Sequence, residues 1–211
     1  YNSAFGYNAL GAETGASRST AIGYYALAVQ NVGSGEANNV AIGHAAGMSI
    51  TSGTTNTLIG NLAGDALTTG ASNVAVGYQA LSSEDAHGTN VAIGHNSLAT
   101  LDAGADAYNV AVGYHSGMGM SSGTNNTLIG GLAGDALTTG GDNVALGRSA
   151  LSTEIQGSRN VAIGFEALKD LNTDSASYNI AVGYQAGANV TTGVENVIMG
   201  GLAGDAVTTG S

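Results

Sequence analysis

The chain has 211 residues, of which 35 are glycine and none is proline, cysteine or tryptophan. Four Lys and Arg residues stand against 15 Asp and Glu residues, and the net charge of −11 argues against binding to nucleic acid or anionic lipid, which depends on basic residues. No run approaches the roughly 18 apolar residues of a membrane helix. Without cysteine there is neither a disulfide nor a thiolate metal site. The 43% of hydrophobic residues keep a fixed register, which excludes a disordered chain.

A five-residue phrase recurs twelve times, in most copies Asn, a small or β-branched residue, two apolar residues and Gly. The closing glycines are separated by 17 to 20 residues, and a fixed period of this kind is typical of a solenoid. We call each of these residues the motif glycine of its turn. They are Gly6, Gly23, Gly43, Gly60, Gly77, Gly94, Gly113, Gly130, Gly147, Gly164, Gly183 and Gly200.

A longer period of 70 residues is superimposed on the turns. The sequence from Leu58 to Gly70 recurs nearly unchanged from Leu128 to Gly140 and again from Ile198 to Gly210. Four turns therefore form one super-repeat, and we divide a single repeat domain, 1–211, into super-repeats 1–71, 72–141 and 142–211. Neither end resembles a polar capping repeat. We therefore expect a fragment of a longer fibre, or a unit that stacks end to end on copies of itself.

The turn that runs from Asn73 to Thr89 illustrates the predicted structure. Residues 73–77 predict a short strand that ends at Gly77, where a positive φ is available. Residues 78–82 predict a second extended segment, and residues 83–89 predict a polar return loop. Each stretch is too short and too rich in Gly, Thr and Val for a helix.

Both faces of the predicted strand are apolar, with Val74 and Val76 on one side and Ala75 on the other. A strand of this kind is normally buried on both faces. One face fills the interior of the coil, and a single-layer solenoid has nothing in its own chain to cover the second face. We therefore expect the second face to pack against other subunits of a closed cyclic oligomer.

The sequence resembles the head repeat of trimeric autotransporter adhesins in its Asn-Val-Ala-Ile-Gly phrase at 39–43, 90–94 and 160–164. The longer form at 73–81, Asn-Val-Ala-Val-Gly-Tyr-Gln-Ala-Leu, is more similar to repeats of phage tail-fibre and related appendage proteins. The resemblance implies a left-handed parallel β-roll or β-helix that assembles as a homotrimeric rod. The turns are longer than those of the adhesin heads, and Ser19 replaces the usual Asn in the second turn.

Two columns of side chains are candidates for function. Asn begins eleven of the twelve phrases, and we interpret this column as an amide ladder rather than a row of ligands. The residue after the motif glycine is often aromatic, and such rings either bind the faces of sugars or cover a hydrophobic edge. The residues of this aromatic column that we assign as surface or glycan contacts are Tyr7, Tyr24, His44, Tyr78, His95, Tyr114, Phe165 and Tyr184.

The remaining polar residues predict no catalytic, cofactor-binding or metal site. Asp65, Asp135 and Asp205 supply too few oxygens within one chain for calcium, which needs six to eight ligands, and we interpret them as turn or cap residues. Two pairs of carboxylates, Asp102 with Asp106 and Asp170 with Asp174, are of the residue type that sugar hydrolysis uses as acid and base. The first super-repeat lacks such a pair, so we interpret these loops as solvated. His87 and His115 are isolated in the sequence, and we expect no enzyme.

From these observations we expect a structural and adhesive rod, the shaft or receptor-contact segment of a phage tail fibre. Such a protein is extracellular, part of a virion, and contacts a glycan or protein receptor on the host surface. The alternative in the same class is the head of a bacterial trimeric surface adhesin. An alternative of another class is a monomeric β-solenoid that binds a small ligand, calcium or ice.

Overall fold

The computed structural model describes residues 1–210, which form a parallel β-solenoid of about twelve turns. The chain divides into two compact units, Tyr1–Tyr108 and Asn109–Ser211. The prediction of an all-β parallel solenoid is confirmed, and no helix occurs among the described residues. None of these residues therefore forms a helix that is long and apolar enough to cross a membrane.

Each turn contributes one three-residue strand to a parallel ladder, and two-residue strands form a further small pair in the first unit. In the first unit the strands are β1 (Ser3–Phe5), β2 (Ala16–Ser17), β3 (Thr20–Ile22), β4 (Gly35–Glu36), β5 (Val40–Ile42), β6 (Thr57–Ile59), β7 (Val74–Val76) and β8 (Val91–Ile93). In the second unit they are β9 (Val110–Val112), β10 (Thr127–Ile129), β11 (Val144–Leu146), β12 (Val161–Ile163), β13 (Ile180–Val182) and β14 (Val197–Met199).

The register of the ladder follows the motif glycines. Strand β6 pairs with β7 so that Leu58 lies beside Ala75, one full turn of 17 residues further on. Equivalent positions of the phrase therefore stack directly above one another in each unit. The sequence period predicts this register because the three-residue strand of each turn lies immediately before its motif glycine.

The predicted second extended segment at 78–82 is wrong. The chain instead makes two consecutive tight turns, in which the Ala80 N–H donates to the Gly77 carbonyl at 3.4 Å. Gln79 and Leu81 have φ values of 50° and 53°, in the left-handed region that non-glycine residues seldom adopt. Neighbouring turns hold these corners, because the Gln79 N–H donates to the Asn61 carbonyl and the Leu81 N–H donates to the Ser97 carbonyl, both at 3.0 Å.

Two positions of the repeat fill the interior, and a large side chain at one is matched by a small one at the other. The central residue of every three-residue strand after β1 points inward and is buried, as at Ala75 and Leu58. The residue four positions after the motif glycine is Gly in turns whose own or next central residue is Leu58, Leu128 or Ile198, and it is Leu in the other turns. A Cβ added to Gly47 would lie only 2.7 Å from Leu58 Cδ1. The alternation of Leu and Gly in the sequence therefore keeps the core volume constant.

The Asn column forms a buried amide ladder along each unit. The Asn39 Oδ1 atom accepts from the Asn56 backbone N–H at 2.9 Å, and the Asn56 Nδ2 group donates to the Gly70 carbonyl at 2.9 Å. Both side chains are fully buried. The ladder therefore satisfies buried backbone groups between turns, as the structural interpretation of the column requires.

Ser19 interrupts this ladder, and Gln30 restores it. The fully buried Gln30 amide accepts from Asn39 Nδ2 at 2.8 Å and donates to Ser19 Oγ at 3.2 Å. Its Nε2 group also donates to Glu13 Oε2 at 3.0 Å. The two departures from the repeat, Ser19 and Gln30, are thus parts of one hydrogen-bonded network.

Candidate functional site

The outer face of the strands is mostly apolar and partly exposed to solvent. The inward position between the two outer residues is buried, so the outer residues cannot contribute to the core of the same turn. Ile59, Ile93 and Ile129 each expose 37% of their surface. The expectation that one apolar face lies uncovered within the chain agrees with this geometry.

We define the outer strand face as the first and third residues of every three-residue strand. None of its residues is charged, and nearly all are Val, Ile or Thr, which suit a flat β surface. In each unit two columns run through six turns, and at about 4.8 Å per turn they cover roughly 300 Å² in projection. The face comprises residues 3, 5, 20, 22, 40, 42, 57, 59, 74, 76, 91 and 93 in the first unit, and 110, 112, 127, 129, 144, 146, 161, 163, 180, 182, 197 and 199 in the second.

The aromatic column lies immediately after the strands, where the motif glycines turn the chain. Its rings stack on one another between successive turns. Tyr24 is parallel to Tyr7 at 5.4 Å and to His44 at 5.4 Å, and Tyr78 stacks on His95 at 5.0 Å.

The second unit continues this pattern with Phe165, which stacks on Tyr184 at 5.3 Å and receives the Arg148 guanidinium at 5.2 Å. Tyr114 differs, because it stacks on the adjacent His115 ring at 3.8 Å. The structure thus places the predicted contact residues in surface stacks, which stabilise one another by about 0.5–1.5 kcal/mol per pair.

Stacking limits what the column can bind. Where two rings are parallel, each covers one face of the other, and a sugar cannot insert between them without separating two turns. The exposed edges and hydroxyl groups stay accessible, since Tyr7 exposes 68% and Tyr24 exposes 50% of its surface. The column can therefore make edge contacts and hydrogen bonds with a ligand, and the Tyr ring faces already in a stack are the least accessible part.

No family model matches this chain, and neither a curated protein nor a solved structure is similar to it at a significant level. The likeness to appendage repeats consequently rests on the phrase and its period.

Three buried or partly buried carboxylates lie seven residues after a motif glycine, at the start of each super-repeat. They are equivalent positions, occupied by Glu13, Glu84 and Glu154, in a column that is otherwise almost entirely apolar. Glu84 and Glu154 are fully buried. Sequence reasoning missed these residues, although a charged residue repeated every four turns in an apolar column is a detectable signal.

Each of these glutamates ties its own turn to the longer loop of the next one. Glu154 Oε1 accepts from the Gly157 N–H at 2.7 Å and from the Thr173 N–H at 3.1 Å. Glu84 accepts in the same way from the N–H groups of His87 at 3.1 Å and Ala103 at 3.3 Å. The carboxylates therefore supply acceptors for backbone groups that have no strand partner.

The paired loop carboxylates do not form a catalytic arrangement. Asp106 Oδ1 accepts from the Gly88 N–H at 2.9 Å, and Asp170 lies 3.8 Å from the Lys169 ammonium. These contacts hold the loops. The structure instead brings Asp102 close to Glu84, Asp85 and His87, which the sequence does not group. No cavity opens among the described residues.

Asp65 and Asp135 occupy the same position in successive super-repeats, and in each the Oδ1 atom is buried without a hydrogen-bond partner. Burial raises the pKa of both carboxyl groups, and nearby His115 opposes the shift at Asp135. The third copy, Asp205, is exposed. The interpretation of Asp65 and Asp135 as turn or cap residues is incomplete, because the Oδ1 atom of each accepts no hydrogen bond.

We expect Asp65→Asn to stabilise the protein slightly at pH 7. Because the folded-state pKa is raised, folding favours the protonated acid, so Asp65 contributes stability below its unfolded pKa of about 3.9 and loses it as pH rises through the folded pKa. Thermal melts should show a gain of a few degrees at most at pH 7 that disappears near pH 3.5. Asp205→Asn is the control, and an equal gain there would contradict burial as the cause.

Proposed function

We propose that this chain is a structural and adhesive segment of an extracellular appendage, and that copies of it pack through the outer strand face. The observation that carries this proposal is the uncharged, partly exposed face formed by two columns of mostly β-branched side chains in each unit. The largest apolar patch on a soluble monomer covers about 300–600 Å² and often marks a functional contact, and the outer strand face of each unit reaches about that size.

Electrostatics supports self-association through this face rather than another one. The chain carries a net charge of −11, so copies repel each other wherever charged surfaces meet. The outer strand face avoids that repulsion, and its row spacing is the same in every copy. The resemblance to appendage repeats supplies the three-fold order, and we assign the shaft or receptor-contact segment of a phage tail fibre. The head of a bacterial trimeric adhesin is the alternative with the same interface.

The adhesive part of the proposal concerns the aromatic column. Its exposed tyrosine edges and hydroxyl groups, at Tyr7, Tyr24 and Tyr184 among others, face solvent and suit hydrogen bonding to a host-surface glycan or protein. The ring stacks keep these groups in fixed positions, which lowers the entropy lost on binding.

Charges introduced on the outer strand face test the proposed interface. We expect the double substitution Ile59→Glu and Ile129→Glu to reduce the solution mass from a trimer to a monomer, because four desolvated charges per pair of copies cannot be accommodated. Light scattering measures the mass, and circular dichroism checks that the β structure is retained. These side chains point away from the core, so the fold should survive.

Ser52→Glu and Ser122→Glu provide the matched control, since they add the same charges 70 residues apart on exposed loop positions. This control should keep the trimeric mass. If the Ile59 and Ile129 variant stays trimeric, the outer strand face is not the interface. If the control variant dissociates as well, the dissociation is caused by added net charge and not by the position of the charges.

A further inference from the structure

Four potential metal-binding side chains converge between two successive turns of the first unit. Glu84, Asp85 and His87 lie in the turn that follows Gly77, and Asp102 lies in the next turn. One donor atom from each lies within 4.8 Å of all the others. Donors bound to one ion at about 2.1 Å lie roughly 3 to 4.3 Å apart, so small side-chain shifts bring this set into coordinating range.

His87 gives this group a feature that an ordinary acidic surface cluster does not have. Its Nδ1 atom is buried and makes no hydrogen bond, although the ring as a whole remains 30% exposed. Glu84 Oε1, on a fully buried side chain, lies 3.4 Å from this nitrogen without forming a hydrogen bond to it. A buried nitrogen without a partner costs about as much as a lost hydrogen bond, and a metal ion between the two groups would satisfy both.

The equivalent position of the third super-repeat lacks three of these four side chains. Seventy residues further on, Glu154 keeps the place of Glu84, but Ile155, Gly157 and Asn172 replace Asp85, His87 and Asp102.

The hydrogen bonding of the two glutamates differs accordingly. Thr173 donates both its N–H, at 3.1 Å, and its hydroxyl, at 3.0 Å, to Glu154. Ala103 stands in the place of Thr173 and donates only its N–H to Glu84, at 3.3 Å. Glu84 therefore retains acceptor capacity that Glu154 has used.

We propose that Glu84, Asp85, His87 and Asp102 bind one divalent transition-metal ion, for which Zn²⁺ is the probe. An imidazole nitrogen combined with carboxylate oxygens suits zinc and its neighbours better than calcium, which prefers an all-oxygen shell of six to eight ligands. The exposed Asp85 and Asp102 provide access from solvent, and the buried Glu84 anchors the ion. The ion would link two turns of the solenoid at the longer loop of the second super-repeat.

Titration calorimetry of the metal-free full chain with ZnCl₂ tests this proposal. We expect one saturating equivalent per chain and a melting temperature that rises by several degrees and falls back on addition of EDTA. His87→Gln and Asp102→Asn should each weaken Zn²⁺ binding at least tenfold. Neither substitution removes a hydrogen bond to backbone that Glu84 provides, so both variants should keep the metal-free melting temperature.

His44→Gln and Asp174→Asn are the controls, each of which removes the same kind of group at an exposed position outside the site. Both should bind Zn²⁺ like the unmodified chain. The proposal is overturned by absence of saturable binding, by unchanged affinity in the His87 and Asp102 variants, or by equal losses in the controls. None of these results depends on the oligomeric state.

Discussion

Gly130→Ala is expected to destabilise the protein by about 3 kcal/mol or more. Gly130 has a φ of +136°, which side chains other than glycine avoid at a cost of about 1–3 kcal/mol. The added Cβ would also lie 2.5 Å from the Gly147 carbonyl oxygen and 2.6 Å from its carbonyl carbon. Both atoms are backbone of the next turn, so the clash can be relieved only by separating two turns of the ladder.

Gly131→Ala is the matched control for this substitution. Its neighbour within 4 Å would be the Tyr114 carbonyl oxygen at 3.9 Å, and the equivalent position in the first super-repeat is Asn61. Urea unfolding of both variants measures the difference in the free energy of unfolding. Similar stability for the two would mean that the motif glycines are not required by the close approach of turns.

Glu154→Leu is expected to cost about 3 to 5 kcal/mol, although it replaces a buried charge with an apolar residue. Leucine fits the column, since Leu137 and Leu171 occupy the equivalent positions of neighbouring turns and are fully buried. The loss arises because the N–H groups of Gly157 and Thr173 lose their acceptor and stay buried.

Glu195→Gln serves as the control for loss of one negative charge, since Glu195 is exposed. The free energy of unfolding from urea melts is again the measured quantity. Proteolysis should cut the Glu154→Leu variant first within the loop 172–178, because that loop is held by Thr173. A variant as stable as the unmodified chain would show that water replaces the carboxylate without loss.

The turn count, the register and the all-β class are predictable because the motif glycine and the strand occupy a fixed place in each period. The two tight turns after each strand are not, since Gln79 and Leu81 have no intrinsic preference for positive φ and adopt it only because neighbouring turns hold them. The sequence also leaves open which strand face points inward, because the phrase is apolar on both sides. In the structure the central residue lies inside whether it is Ala75 or Leu58, and Val74 and Val76 lie on the outer face.

The polar groups also divide into those that the sequence predicts and those that it does not. The Asn ladder is readable from the sequence because the amides recur in nearly every turn. The cluster around His87 is not, since Asp102 lies in a different turn and only the stacking of the longer loop brings it within 4.8 Å of the other donors. Gln30 is likewise understandable only beside Ser19, whose missing amide it replaces.

The solution mass of the unmodified chain tests the central claim most directly, namely that the outer strand face is an interface between copies. Light scattering on the 20.5 kDa chain should give about three times that mass over a tenfold range of concentration. A stable monomer would contradict the claim, since it would mean that the apolar face is tolerated in water, and the single-chain binding solenoid would then become the better account.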